Sequence, residues 1–148
     1  MLTLEEVRKR ISVYMRDRNI QKYHVVIGTD SQLKNRTQTD FVTAIIVHRV
    51  GSGGIYFWQR SVDHKKRALK QRIFEEATRS LQTAHLLLGS FKTNGIADLD
   101  FSIHVDIGTR GPTREIIREV VAMIRGSGFR VKTKPDSYGA SSVADRHT

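Results

Sequence analysis

A chain of 148 residues, 39% hydrophobic and 27% charged, is long enough for one domain with its own core and too apolar for a disordered segment. It has no cysteine, which excludes disulfides and thiolate metal centres, and no apolar run in it approaches the ~20 residues that span a bilayer. Lys and Arg number 25 against 15 Asp and Glu, and the resulting net charge of +10 favours a polyanionic partner, above all nucleic acid; no membrane partner is expected. A solvated basic surface is the plainer reading of that charge. Glu5, Glu6, Arg8, Lys9 and Arg10 break up the place where a signal peptide carries its apolar core, so a cytoplasmic location is expected.

Leu4, Val7, Ile11, Tyr14 and Met15 recur at three- and four-residue spacing and predict an amphipathic helix from Leu2 to Arg18. Thr3 is its N-cap, and Arg8, Lys9, Arg16 and Arg18 lie on its wet face. This helix, within residues 1–20, reads as an addition to a single domain spanning 1–148. Tyr23 to Asp30 follows as a first strand. Its unbroken apolar run suits a central strand buried on both faces, and it ends on the acidic tip Gly28-Thr29-Asp30. A polar connection, Ser31 to Asp40, leads to a second strand, Phe41 to Val47. Gly51-Ser52-Gly53-Gly54 is a turn, and a third strand runs from Ile55 to about Val62. Short links make these three an antiparallel meander.

The pattern then changes to helical periodicity over His64 to Leu88, with Lys65, Lys66, Arg67, Lys70 and Arg72 at its start. A loop, Gly89 to Asp98, ends it. A fourth strand, Leu99 to Ile107, carries a second acidic tip at Asp106. Pro112 and Thr113 start a helix to about Arg125, with Ile116, Ile117, Val120, Met123 and Ile124 inward, and Gly126-Ser127-Gly128 stops it. Phe129 to Thr133 is a fifth strand, and Tyr138 to His147 a last short helix. The order predicts the α/β class: a mixed five-stranded sheet with helices on both faces and right-handed crossovers.

Asp30 and Asp106 close strands one and four. If those strands are parallel neighbours, both carboxylates reach one end of the sheet, where they repel unless a proton or a cation sits between them. Oxygen-only ligands suit Mg²⁺ or Mn²⁺. Glu76 falls on the apolar stripe of the long helix, with Leu69, Ile73, Ala77, Ser80, Leu81, Ala84 and Leu88, whereas Glu75 falls on its polar side. A stripe carboxylate either has a partner or snorkels at the boundary. Asp145 on the last helix is a fourth candidate, with Asp136 as its competitor and a helix cap as the other role for Asp136.

Ile27-Gly28-Thr29-Asp30-Ser31-Gln32, His104-Val105-Asp106-Ile107-Gly108 and Lys134-Pro135-Asp136-Ser137-Tyr138 through Ala144-Asp145-Arg146-His147 together resemble the YkuK-type family of the ribonuclease H-like superfamily. The resemblance covers essentially the whole chain. It implies a ribonuclease H-like fold and a metal-dependent nuclease that hydrolyses phosphodiester bonds with two divalent ions, Mg²⁺ or Mn²⁺, typically ~3.5–4 Å apart. It also implies Asp30, Glu76, Asp106 and Asp145 as the catalytic metal ligands, Asp30 bridging the ions. The chain departs from the bacterial ribonuclease H pattern at the helix glutamate, where Glu75 and Glu76 both match, in the last loop, where Lys134 and Ser137 stand in place of a histidine, and in the connection between the first two strands. Lys34 and Arg36 in that connection, Arg110 and Arg114 after Asp106, and Arg146 beside Asp145 are the expected contacts to nucleic acid.

Two other functions fit parts of the same sequence. One is a ribonuclease H-like module that binds nucleic acid without turnover. The other is a nucleotide-phosphate enzyme, since Asp106-Ile107-Gly108-Thr109-Arg110-Gly111 looks like the phosphate loop of actin-like and sugar-kinase ATPases. Those proteins pair two such domains, and this chain has room for one. The six histidines show no zinc spacing, and no serine stands in a recognised nucleophile arrangement.

Overall fold

Thr3 opens the first helix, α1 (Leu4–Arg16): its hydroxyl accepts the backbone N–H of Glu6 at 3.1 Å, which is the expected cap. The computed structural model describes residues 2–16, 23–49, 53–65, 67–93, 99–105 and 114–133. Val7, Ile11 and Met15 of α1 are buried, so the predicted stripe is the packed one.

β1 (Tyr23–Lys34), β2 (Gln38–Arg49) and β3 (Gly54–Asp63) form the antiparallel meander. α2 (Leu69–Thr93) crosses over to β4 (Leu99–His104), which lies parallel to β1 with Tyr23 opposite Leu99 and Gly28 opposite His104. α3 (Arg114–Gly126) leads to β5 (Arg130–Lys132), parallel to β4. The sheet order is β3-β2-β1-β4-β5, so β1 is central, as its apolar run predicts. Tyr23, Val25 and Ile27 face a core shared with the three described helices, while Val26 faces the other way with Val42 and Ala44.

The expected polar connection from Ser31 to Asp40 is instead mostly strand. The β1–β2 ladder continues to Lys34 opposite Gln38, and the chain reverses over Asn35 to Thr37. Asn35 takes φ +60°, a left-handed conformation that asparagine tolerates and a tight hairpin needs. The segment is polar yet partly buried, because Ser31, Thr39 and Asp40 lie against neighbouring elements. Asp30 therefore sits within β1, opposite Val42, rather than closing the strand.

α2 starts later and ends later than its periodicity predicts. Ala68 donates its backbone N–H to the Gln71 side chain at 3.2 Å, a cap that starts the helix at Leu69. At the other end Phe91, fully buried, anchors a further turn beyond Gly89, whose Cα faces open space. Leu69, expected on the stripe, is 55% exposed. In α3, Ile117, Val120 and Ile124 are buried, and Gly128 at φ +90° lets the chain leave the helix. The last helix expected over Tyr138 to His147 lies outside the described residues.

Candidate nucleic-acid and carboxylate site

The helix-facing side of β1 turns polar beyond Ile27. Thr29 and Ser31, both buried, share that side because strand residues two apart do. The helix supplies matching groups one turn apart: Arg72, Glu76 and Ser80. Thr29 Oγ1 lies 2.8 Å from Ser80 Oγ and 2.9 Å from Thr43 Oγ1 of β2. Ser31 Oγ donates to Glu76 Oε2 at 2.9 Å and accepts from Arg72 Nε at 3.1 Å. Arg72 Nη2 adds a 3.4 Å contact to the Ser31 carbonyl oxygen. One hydroxyl thus joins a cation and a carboxylate from the same helix to the central strand.

Glu76 is therefore the glutamate directed at β1. Glu75 is engaged on the other side of the helix, accepting from Arg79 Nε at 3.0 Å. The stripe argument separates these two neighbours as the contacts do. Asp30 is half-buried and leaves β1 on the face opposite Ser31, the face of Val26 and Val42. Asp106 and Asp145 lie outside the described residues, as do Asp136, Arg110 and Arg146. Among the described residues no group of three His, Asp or Glu side chains could hold a metal ion. The structure thus brings Glu76 to the residue next to Asp30 in the chain but does not bring the two carboxylates onto one face.

The basic candidates that are described flank this end of the sheet. Lys34 closes β1, with its Nζ 3.1 Å from Gln32 Oε1, and Arg36 is exposed in the turn. Arg114 is exposed at the first position of α3. Arg67 bonds Asp63, and this guanidinium holds the Asp63 carboxyl below the usual aspartate range.

Sequence reasoning missed Ser31 and Arg72 as parts of this array. The available signal was the spacing: Arg72, Glu76 and Ser80 repeat every four residues on one helix face, and Thr29 and Ser31 alternate with Asp30. A second polar array lies on the opposite face of the sheet, where His24 Nδ1 is 3.0 Å from Asp100 Oδ2 and His24 Nε2 is 2.9 Å from Ser102 Oγ. Ser102 is 1% exposed, so its hydroxyl is not presented to a substrate; the array ties β1 to β4.

A model of the ribonuclease H-like family matches residues 6–148. The protein YkuK of Bacillus subtilis (strain 168) is 35% identical over 161 aligned residues, covering 99% of this chain and 91% of the relative. A solved structure of Ciona intestinalis endonuclease V, in complex with a 24mer DNA containing an inosine followed by a ribo-adenosine, has a TM-score of 0.43 and 13% identity over 98% of this chain, which spans 66% of that one.

Proposed function

The chain belongs to the ribonuclease H-like family, and from that premise we propose that it is a metal-dependent nuclease hydrolysing phosphodiester bonds of nucleic acid. The observation that carries this reading is the placing of β4 beside β1, parallel, with Gly28 opposite His104. Asp30 follows Gly28 by two residues, and Asp106 follows His104 by two. In sequence the two acids stand equally far past that paired register, and neighbouring carboxylates are what a shared cation relieves.

The donor type fits the implied ions, since Asp30 and Glu76 offer oxygen only, as Mg²⁺ and Mn²⁺ prefer. The described geometry is not itself a cation site, because Asp30 leaves β1 on one face and Glu76 of α2 meets β1 on the other. Divalent ions, when bound, supply an activated water and stabilise the leaving oxygen. The chain's own part is clearer. Ser31, itself bonded by Arg72, holds the Glu76 carboxylate against β1 with one oxygen already engaged. Lys34, Arg36 and Arg114 supply positive charge for phosphates, with Arg110 and Arg146 proposed beside them from the sequence.

A second reading, a nucleic-acid-binding module without turnover, is favoured by the separation of Asp30 from Glu76. Asp106→Asn distinguishes the two. The nuclease reading expects the variant to keep its thermal stability and its nucleic-acid affinity while losing metal-dependent cleavage. Equal cleavage by the variant removes Asp106 from the mechanism. Binding without cleavage by the unsubstituted protein establishes the module.

A further inference from the structure

Two stretches far apart in sequence carry cations and no acid. Residues 31–39 hold Lys34 and Arg36, and residues 64–72 hold Lys65, Lys66, Arg67, Lys70 and Arg72. The fold stitches them together. Thr39 Oγ1 donates to the Lys65 carbonyl oxygen at 2.9 Å, Thr39 stands opposite Asp63 in the ladder, and Arg72 bonds Ser31 at 3.1 Å. The turn of the β1–β2 hairpin and the start of α2 thus form one surface.

Three arginines elsewhere on the molecule are matched with acids: Arg8 with Glu5, Arg79 with Glu75 and Arg130 with Asp100. On this surface Arg36, Lys65 and Lys70 are exposed and have no salt bridge among the described residues. The acids at its border are engaged: Asp63 by Arg67, Glu76 by Ser31, and buried Asp40 by the Gln38 side chain at 3.1 Å. Neutral hydrogen-bonding side chains stand between the cations, with Gln32, Asn35, Thr37 and Gln71 all exposed. Like charges left unmatched side by side repel, and a polyanion relieves that repulsion while releasing its own counterions.

We propose that this surface binds the sugar-phosphate backbone of nucleic acid, with Arg36, Lys65 and Lys70 as phosphate contacts. The identity of the polyanion rests on the nuclease reading above. The backbone track then runs along the helix side of the sheet end, over the first turn of α2 and past the Ser31–Glu76 contact. It reads no base, because the contacts are single charges rather than planar pairs aimed at base edges.

The test is a salt titration of binding to a labelled duplex and a labelled single strand, using the full chain. Arg36→Gln/Lys65→Gln/Lys70→Gln is compared with a control of equal charge, Lys9→Gln/Arg10→Gln/Arg125→Gln, whose cations are exposed on α1 and α3. Each lost phosphate contact lowers the slope of log affinity against log salt by about 0.9 on duplex DNA, so the first variant loses about 2–3 in slope and at least roughly 10-fold in affinity. The control changes little, and both variants melt like the unsubstituted protein. Equal losses in both variants, an unchanged slope in the first, or attachment to phosphatidylserine vesicles without nucleic-acid binding would overturn the proposal. Cleavage is scored separately. A protein that binds through this surface yet never cleaves keeps the proposal and loses the nuclease reading, whereas cleavage with an unchanged slope in the first variant does the reverse.

Discussion

Ser31 donates a 2.9 Å hydrogen bond to Glu76 across 45 positions of sequence, from a residue that is itself 4% exposed. The bond couples the central strand to the crossover helix where the sheet turns from apolar to polar. Arg72 bonds the same hydroxyl, which fixes the direction of the Ser31 proton toward the carboxylate.

Ser31→Ala removes that hydroxyl and leaves Glu76 and Arg72 without their shared partner. The expected loss is about 1–3 kcal/mol of stability, because a charged group is left under-satisfied in a partly buried site. Urea unfolding measures it, and a loss under about 0.5 kcal/mol would show the bond to be incidental.

The hydroxyl pair behind it gives a second prediction. Thr29→Val and Ser80→Ala each break a buried 2.8 Å bond. Each costs about 1 kcal/mol, and the double variant costs less than their sum because the second change removes a group already unpaired. Strict additivity in a double-mutant cycle would deny the contact.

Phe91→Ala tests the extra turn of α2. The side chain is fully buried and its ring centroid lies 6.3 Å from that of Phe101 on β4. Removing it costs about 3–5 kcal/mol, the usual range for a buried phenylalanine. A loss below about 1 kcal/mol would mean that the helix end packs loosely.

Asp63 gives a pH prediction. Arg67 holds its folded-state titration below the usual aspartate range, chiefly through their hydrogen bond. A lowered folded pKa contributes stability above the unfolded pKa, near 4, and that contribution fades as pH falls through the folded value. The stability difference between the unsubstituted protein and Asp63→Asn is therefore larger at pH 6 than at pH 3. It stays small at both, since the pair is only part-buried and solvent still screens it. A difference that grows toward pH 3 would reverse the sign and contradict the pairing.

Most of the fold is legible in the sequence because period and punctuation agree. The run Val25-Val26-Ile27 marks a central strand, the glycines after Val50 mark a reversal, and Ile117, Val120 and Ile124 mark the packed face of α3. The hairpin past Asp30 is not legible, because Ser31-Gln32-Leu33-Lys34 and Gln38-Thr39-Asp40 carry the composition of a loop. Only their pairing partners make them strand. The end of α2 is hidden for a related reason. Gly89 reads as a stop, and the buried Phe91 that outweighs it is a tertiary fact. In the site, Glu76 is separable from Glu75 by helix phase, whereas the opposite facing of Asp30 and Ser31 becomes meaningful only once the strand is known to continue past both. Arg72 as a partner of Ser31 needs the register of a helix against a strand, which no local pattern contains.

The central claim is metal-dependent cleavage of nucleic acid, and the most direct test is incubation with a labelled panel: an RNA–DNA hybrid, single-stranded RNA, single-stranded DNA, duplex DNA and a four-way junction. Each is run with Mn²⁺, Mg²⁺ or EDTA, for the unsubstituted protein and for Asp30→Asn. The account predicts that at least one substrate is cut with Mn²⁺ or Mg²⁺, and that cutting disappears in EDTA and in Asp30→Asn. Cleavage that persists in EDTA or in the variant, or a substrate bound tightly and never cut, would contradict it.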